Sequence, residues 1–135
     1  MTECFFCQNS GGEIIFNCEL YRIILVADDY YPGYLRIVLN RHLKELTDLS
    51  DEENLTIYQA LIRAEKILRK LLTPDKINLA SFGNLTPHVH WHLIPRFKDD
   101  RHFPNPTWGD VTNLAYQPAA TLIAASTQLA AQFLV

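Results

Sequence analysis

The chain has 135 residues, 48% hydrophobic and 20% charged, with 15 acidic against 12 basic side chains and a net charge of −3. That length suits one domain, since domains cluster near ~100–150 residues, and residues 1–135 are expected to form a single one. The acidic balance excludes a module built for long nucleic acid, which carries a clustered basic excess, and no apolar run reaches the ~18–20 residues that span a bilayer.

The opening Met1-Thr2-Glu3-Cys4 has neither the basic start nor the apolar stretch of a secretory leader, so a cytoplasmic location is expected. The 3 cysteines, Cys4, Cys7 and Cys18, are too few for a disulfide scaffold and fit a reducing compartment. Cys4-x-x-Cys7 reads as half a metal site or a redox pair. Next come Tyr21 to Val26 and Tyr34 to Leu39, rich in β-branched and aromatic residues, with the turn-forming Asp28-Asp29-Tyr30-Tyr31-Pro32-Gly33 between them. Two strands joined by a turn are predicted.

Ser50 followed three residues later by Glu53 has the form of a capping box, and Ile57, Leu61, Ala64, Leu68 and Leu72 then recur at helical spacing. A long amphipathic helix is predicted to run to about Leu72 and stop at Thr73-Pro74. Lys76 to Phe82 is a further strand candidate, followed by the breaker Gly83-Asn84, and Ala119 to Leu134 is Ala-rich enough for a helix. Strands on both sides of a helix, with hairpin-length early connections, predict an antiparallel α+β fold.

Of the 5 histidines, three alternate in His88-Val89-His90-Trp91-His92-Leu93-Ile94. In a strand, successive side chains point to opposite faces, so the three imidazoles share one face while Val89, Trp91 and Leu93 enter the core. The ordinary reading is solvated histidines on an open sheet face. Two sharper readings are phosphate chemistry and a metal site built from the three rings, whose neighbours along the row lie about 6–7 Å apart.

His-Val-His-Trp-His-Leu-Ile resembles the signature of the histidine triad (HIT) family. The likeness extends to Cys4-x-x-Cys7, to Tyr31-Pro32-Gly33-Tyr34-Leu35-Arg36-Ile37-Val38, to Arg41-His42, and to the segments Gly83–Pro87, Pro95–Asp100 and Pro106–Gly109. The resemblance implies a HIT-like fold: an antiparallel sheet of about five strands, one long central helix and a C-terminal helix. It implies a nucleotidyl hydrolase or transferase for small nucleotides such as dinucleoside polyphosphates or nucleoside phosphoramidates, acting as a homodimer. His90 would attack the α-phosphorus, with Nδ1–H held by a backbone acceptor so that Nε2 is bare. His92 would contact the α-phosphate, and Asn84 would donate on the leaving-group side. Asp28 would hold the ribose and Arg96, with Lys98, would attract the outer phosphates.

The same resemblance implies a structural Zn²⁺ held by Cys4, Cys7, His42 and His88, four ligands that leave no open position. His88 would then ligate while His90 attacks. Leu85 stands where the family often has Ser or Thr, and Tyr34 where it often has His. These departures keep a second reading open, a nucleotide-binding module with a structural zinc and no turnover. The absence of a Gly-x-x-x-x-Gly-Lys loop excludes a P-loop NTPase.

Overall fold

A computed structural model describes residues 3–134. The sheet strands are β1 (Glu13–Asn17), β2 (Tyr21–Leu25), β3 (Leu35–Leu39), β4 (Lys76–Ala80) and β5 (His90–Arg96). They lie in the order β1-β2-β3-β5-β4, every neighbouring pair antiparallel. This is the α+β architecture expected. The β1 strand was not read from the sequence. A register shift between Ile14 and Phe16 interrupts its alternation, leaving Ile14 exposed and Ile15 buried.

The turn between β2 and β3 depends on two residues. Asp28 Oδ1 accepts from the backbone N–H groups of Tyr30 at 2.9 Å and Tyr31 at 3.1 Å, and Gly33 has φ +84°, where an added Cβ would run into Leu72. The helix α1 (Phe5–Gln8) is one turn long, whereas α2 (Asp51–Leu72) is the long helix predicted. Ser50 Oγ accepts from Glu53 N at 3.1 Å and Glu53 Oε1 accepts from Ser50 N at 2.9 Å, completing the capping box. All five positions of the predicted stripe, Ile57, Leu61, Ala64, Leu68 and Leu72, are buried against one face of the sheet, where Ile23, Ile37, Trp91 and Leu93 meet them.

The C-terminal segment forms two short helices, α3 (Ala120–Ser126) and α4 (Leu129–Gln132), where a single helix over Ala119 to Leu134 was expected. Ser126 Oγ and Thr127 Oγ1 donate to the carbonyls of Ile123 and Ala124, each at 2.6 Å, and this local bonding competes with helix continuation. Leu129 and Phe133 still reach the core beside α2. Among the described residues no helix is long and apolar enough to cross a membrane.

The sheet's other face positions the site. Arg22 lies buried there and donates to the carbonyls of Phe6 (2.8 Å), Asn9 (3.1 Å) and Ser10 (3.0 Å) and to Asn40 Oδ1 (3.1 Å). A guanidinium with its donors so distributed ties the α1 segment to β2, while Cys4 and Phe6 pack on Ile24 and Val38.

Candidate active site and metal centre

Strand β5 starts at His90, two residues later than predicted, and His88 lies at a bend before it, its N–H donating to the Thr86 carbonyl at 2.8 Å. The alternation is as read: Val89, Trp91 and Leu93 join the core under α2, and the imidazoles take the opposite face. They are not solvated there. His88, His90 and His92 are 1%, 6% and 7% exposed, which removes the open-face reading.

His90 Nδ1 lies 2.6 Å from the His88 carbonyl oxygen. A carbonyl only accepts, so Nδ1 carries the proton and Nε2 carries a lone pair. Burial pushes the His90 pKa down; the bond to His88 opposes this and nearby Arg36 adds to it, so the ring is held neutral. His92 has the reverse arrangement. Its Nδ1 lies 2.6 Å from Tyr34 Oη and accepts at 3.4 Å from Arg36 Nε. Burial also raises the Tyr34 pKa, keeping that hydroxyl a donor. With Nδ1 accepting, the His92 proton sits on Nε2. Burial, then His90 and Arg36, push the His92 pKa down to about 4. One ring therefore offers a nucleophilic nitrogen and its neighbour, 5.1 Å away between centroids, an N–H donor.

Both rings line a cavity of about 1170 Å³, as do Arg36 and the exposed Asn84. Arg36 pairs with His92 across β3 and β5 and is half-buried. The ion pairs among the described residues are Arg41–Glu53 and Arg96–Asp100, so Arg36 brings a positive charge beside the rings without a carboxylate to neutralise it. Sequence reading did not single Arg36 out. A charged residue in mid-strand on the face opposite Leu35 and Ile37 was the available signal, but strand register, which places it beside His92, is not written in the sequence.

Two expected contact residues have other partners in this geometry. Arg96 is 2% exposed and does not line the cavity. Its guanidinium donates to Asp100 Oδ2 (2.8 Å) and Oδ1 (3.0 Å), to Asn78 Oδ1 (2.7 Å) and to the Asn105 carbonyl (2.7 Å), which commits four of its five N–H groups and pairs its charge with a carboxylate. Asp28 closes its own turn through Oδ1 and is likewise absent from the cavity wall. Lys98 is exposed and outside the cavity wall too.

Cys4, Cys7, His42 and His88 converge, one donor atom from each lying within 4.8 Å of every other. Cys4 Sγ and Cys7 Sγ are 3.3 and 3.5 Å from His88 Nδ1, Cys7 Sγ is 3.3 Å from His42 Nδ1, and the two Nδ1 atoms are 3.2 Å apart. Bonds of about 2.0–2.1 Å to nitrogen and 2.3 Å to sulfur around a tetrahedron put neighbouring ligands about 3.3–3.8 Å apart, so the four donors fit a metal ion. His88 Nε2–H donates to the Leu39 carbonyl at 2.7 Å, which leaves Nδ1 bare toward the other donors. Burial lowers the His88 pKa and favours the neutral, ligating ring. The all-imidazole metal site is not formed, since His90 and His92 stand outside this cluster.

The HIT domain family model matches residues 8–99. This chain belongs to the HIT family. Across 108 residues this chain is 28% identical to an AP-4-A phosphorylase of Mycobacterium tuberculosis, covering 76% of this chain and 55% of that protein. Over 95 residues it is 23% identical to an asymmetrical bis(5'-nucleosyl)-tetraphosphatase of Schizosaccharomyces pombe, covering 67% and 52%. The chain spans about half the length of these two relatives. A crystal structure of a histidine triad protein from Bradyrhizobium japonicum superposes with TM-score 0.71 at 28% identity, covering 88% of this chain and 90% of that chain.

Proposed function

We propose that this HIT domain transfers or hydrolyses nucleoside monophosphate groups of small nucleotides through a covalent intermediate on His90. The observation that carries this is the opposed hydrogen bonding of the two rings in the cavity wall, His90 Nδ1 on a carbonyl and His92 Nδ1 on the Arg36 and Tyr34 donors, from which a bare Nε2 on His90 and a protonated one on His92 follow. The His90 lone pair forms a bond to the α-phosphorus, and the bond from phosphorus to the bridging atom breaks with its electron pair leaving on the departing group, a phosphate as its anion and an amine with a proton taken from solvent. His92 Nε2–H donates to a non-bridging oxygen as charge develops, and Arg36 offsets that charge. Asn84 donates to the departing side. Water, or another acceptor, then attacks phosphorus, its proton passes to the departed group or to solvent, and the electron pair of the N–P bond returns to His90. The relatives named as acting on dinucleoside tetraphosphates support this substrate class.

Intact-mass measurement after brief exposure to diadenosine tetraphosphate is expected to reveal an added nucleoside monophosphate that maps to His90. Tight nucleotide binding with no adduct and no turnover would instead indicate a binding module. Arg36→Met, which keeps most of the stem and removes the charge, is expected to lower kcat roughly 10²- to 10³-fold with a smaller effect on KM. Its thermal unfolding should stay close to wild type, because no backbone group depends on that side chain. Unchanged kcat would remove Arg36 from the transition state.

The metal that fits Cys4, Cys7, His42 and His88 is Zn²⁺, by the mix of two thiolates and two imidazoles. Four protein ligands fill it, so its chemistry is structural: it fixes Cys4 and Cys7 against the segment that leads into β5. Purified protein is expected to carry about one equivalent of zinc. Cys4→Ser should lose most of that zinc and lower stability, while His92→Ala should retain it. Equal zinc content in the two variants would overturn the assignment.

A further inference from the structure

We infer that Phe82 and Trp108 form a stacking platform for the second, departing base of a dinucleoside polyphosphate and so set substrate specificity. This rests on His90 as the nucleophile. Both side chains are large and apolar, yet they are 58% and 53% exposed, and both line the cavity that holds His90 and His92. Their rings meet edge to face, 4.9 Å between centroids at 75°, and Trp108 meets His92 in the same manner at 5.2 Å and 76°. An edge-to-face contact uses the edge of one ring and one face of the other, so with both side chains more than half exposed planar surface remains open to a third ring.

Strand order places the platform on the Asn84 side of the rings, which the proposed reaction makes the departing side. β5 lies between β3 and β4, and His92 pairs with Arg36 on one side and Ala80 on the other. Tyr34, Arg36 and the α1 segment with Phe5 and Phe6 stand on the β3 side, with Phe6 4.8 Å from the His90 ring. Phe82 lies two residues after the end of β4 and two residues before Asn84. The cavity thus has aromatic groups on both sides of the paired imidazoles, and its volume of about 1170 Å³ exceeds the ~300–1,000 Å³ usual for one drug-sized ligand. A ligand with a planar base at each end of a phosphate chain satisfies both walls. A phosphoramidate that releases only a small amine leaves Phe82 and Trp108 uncovered.

The test compares kcat/KM for diadenosine tetraphosphate with that for adenosine phosphoramidate, whose departing group is ammonia, in the intact chain and in Trp108→Ala, Phe82→Ala and Trp108→Phe. Loss of one stacked base corresponds to about 5- to 150-fold. The ratio of the two values is expected to fall by that factor in both alanine variants and to recover largely in Trp108→Phe. A ratio in Trp108→Ala within about twofold of wild type overturns the platform, including the case in which both values drop together through the His92 contact. If the wild-type chain turns over neither substrate, the proposed reaction has failed by itself. The platform is then judged by equilibrium binding of diadenosine tetraphosphate against adenosine tetraphosphate. A two-base preference of about 5-fold or more that Trp108→Ala abolishes supports it, and equal affinities in the wild-type chain overturn it.

Discussion

Replacing His90 with alanine is expected to reduce turnover of diadenosine tetraphosphate by roughly 10⁴- to 10⁶-fold, the scale on which loss of a catalytic nucleophile is felt. The other groups cannot substitute for it. His92 Nδ1 accepts from Arg36 and lies at hydrogen-bond distance from Tyr34, so its remaining nitrogen is protonated and has no lone pair to give. His88 points Nδ1 at two sulfurs and His42, and donates from Nε2 to Leu39. The fold should persist, because the His90 side chain makes one hydrogen bond, to the carbonyl two residues back, and its ring packs on Phe6 and His92. His90→Asn, closer in volume, serves as the control for that packing and should be equally inactive. Activity within tenfold of wild type in either variant would end the covalent route, since water attacking phosphorus directly does not need this residue.

How much of this was legible in the sequence depends on whether a feature is local. The capping box at Ser50 and Glu53 and the stripe from Ile57 to Leu72 are local, and α2 spans the segment they mark. The alternation of His88, His90 and His92 is local as well, and it assigned their common face. What it could not give is the cover over that face. Exposure of the imidazoles is decided by the α1 segment, which Arg22 holds down, and by residues around Trp108, both distant along the chain. Convergence of Cys4 and Cys7 on His42 and His88 is long-range too, and entered the sequence reading through family resemblance rather than spacing. Arg36 and Arg96 illustrate the remaining gap. Both are arginines in strands on the face of the histidines, yet register puts Arg36 beside His92, while a loop folding back over β5 buries Arg96. An Arg followed four residues later by Asp, as at Arg96 and Asp100, reads as two surface charges until that loop is seen.

That loop is the basis of the second large effect: Asp100→Asn is expected to cost about 3–5 kcal/mol of stability at neutral pH, the range for breaking a buried ion pair from one side. Asp100 is 1% exposed. Its carboxylate accepts two bonds from Arg96 and one each from the backbone N–H groups of Phe97 (3.1 Å), His102 (3.1 Å) and Phe103 (2.8 Å), with Tyr31 Oη donating at 3.3 Å. An asparagine is nearly isosteric but presents an NH₂ group to some of these donors and leaves the Arg96 charge buried without its counter-ion. Burial by itself pushes the Asp100 pKa up; the Arg96 bonds and the backbone donors outweigh it and hold the carboxyl below its ordinary value. A carboxyl whose folded pKa is depressed adds stability above its unfolded value, about 3.9, and that stability is lost as pH falls toward and through the folded value. Urea unfolding of wild type and Asp100→Asn at a series of pH values should therefore show a gap that is widest near neutrality and narrows below about pH 4. A gap under 1 kcal/mol at pH 7, or one that does not narrow in acid, would mean that the pair does not hold the loop. Because the same carboxylate pins the backbone of residues 97–103, which leads into the segment bearing Trp108, the variant should also shift the two-substrate kcat/KM ratio in the direction of Trp108→Ala. That ratio must be read at a temperature where the variant remains folded, so that lost positioning is separated from lost protein.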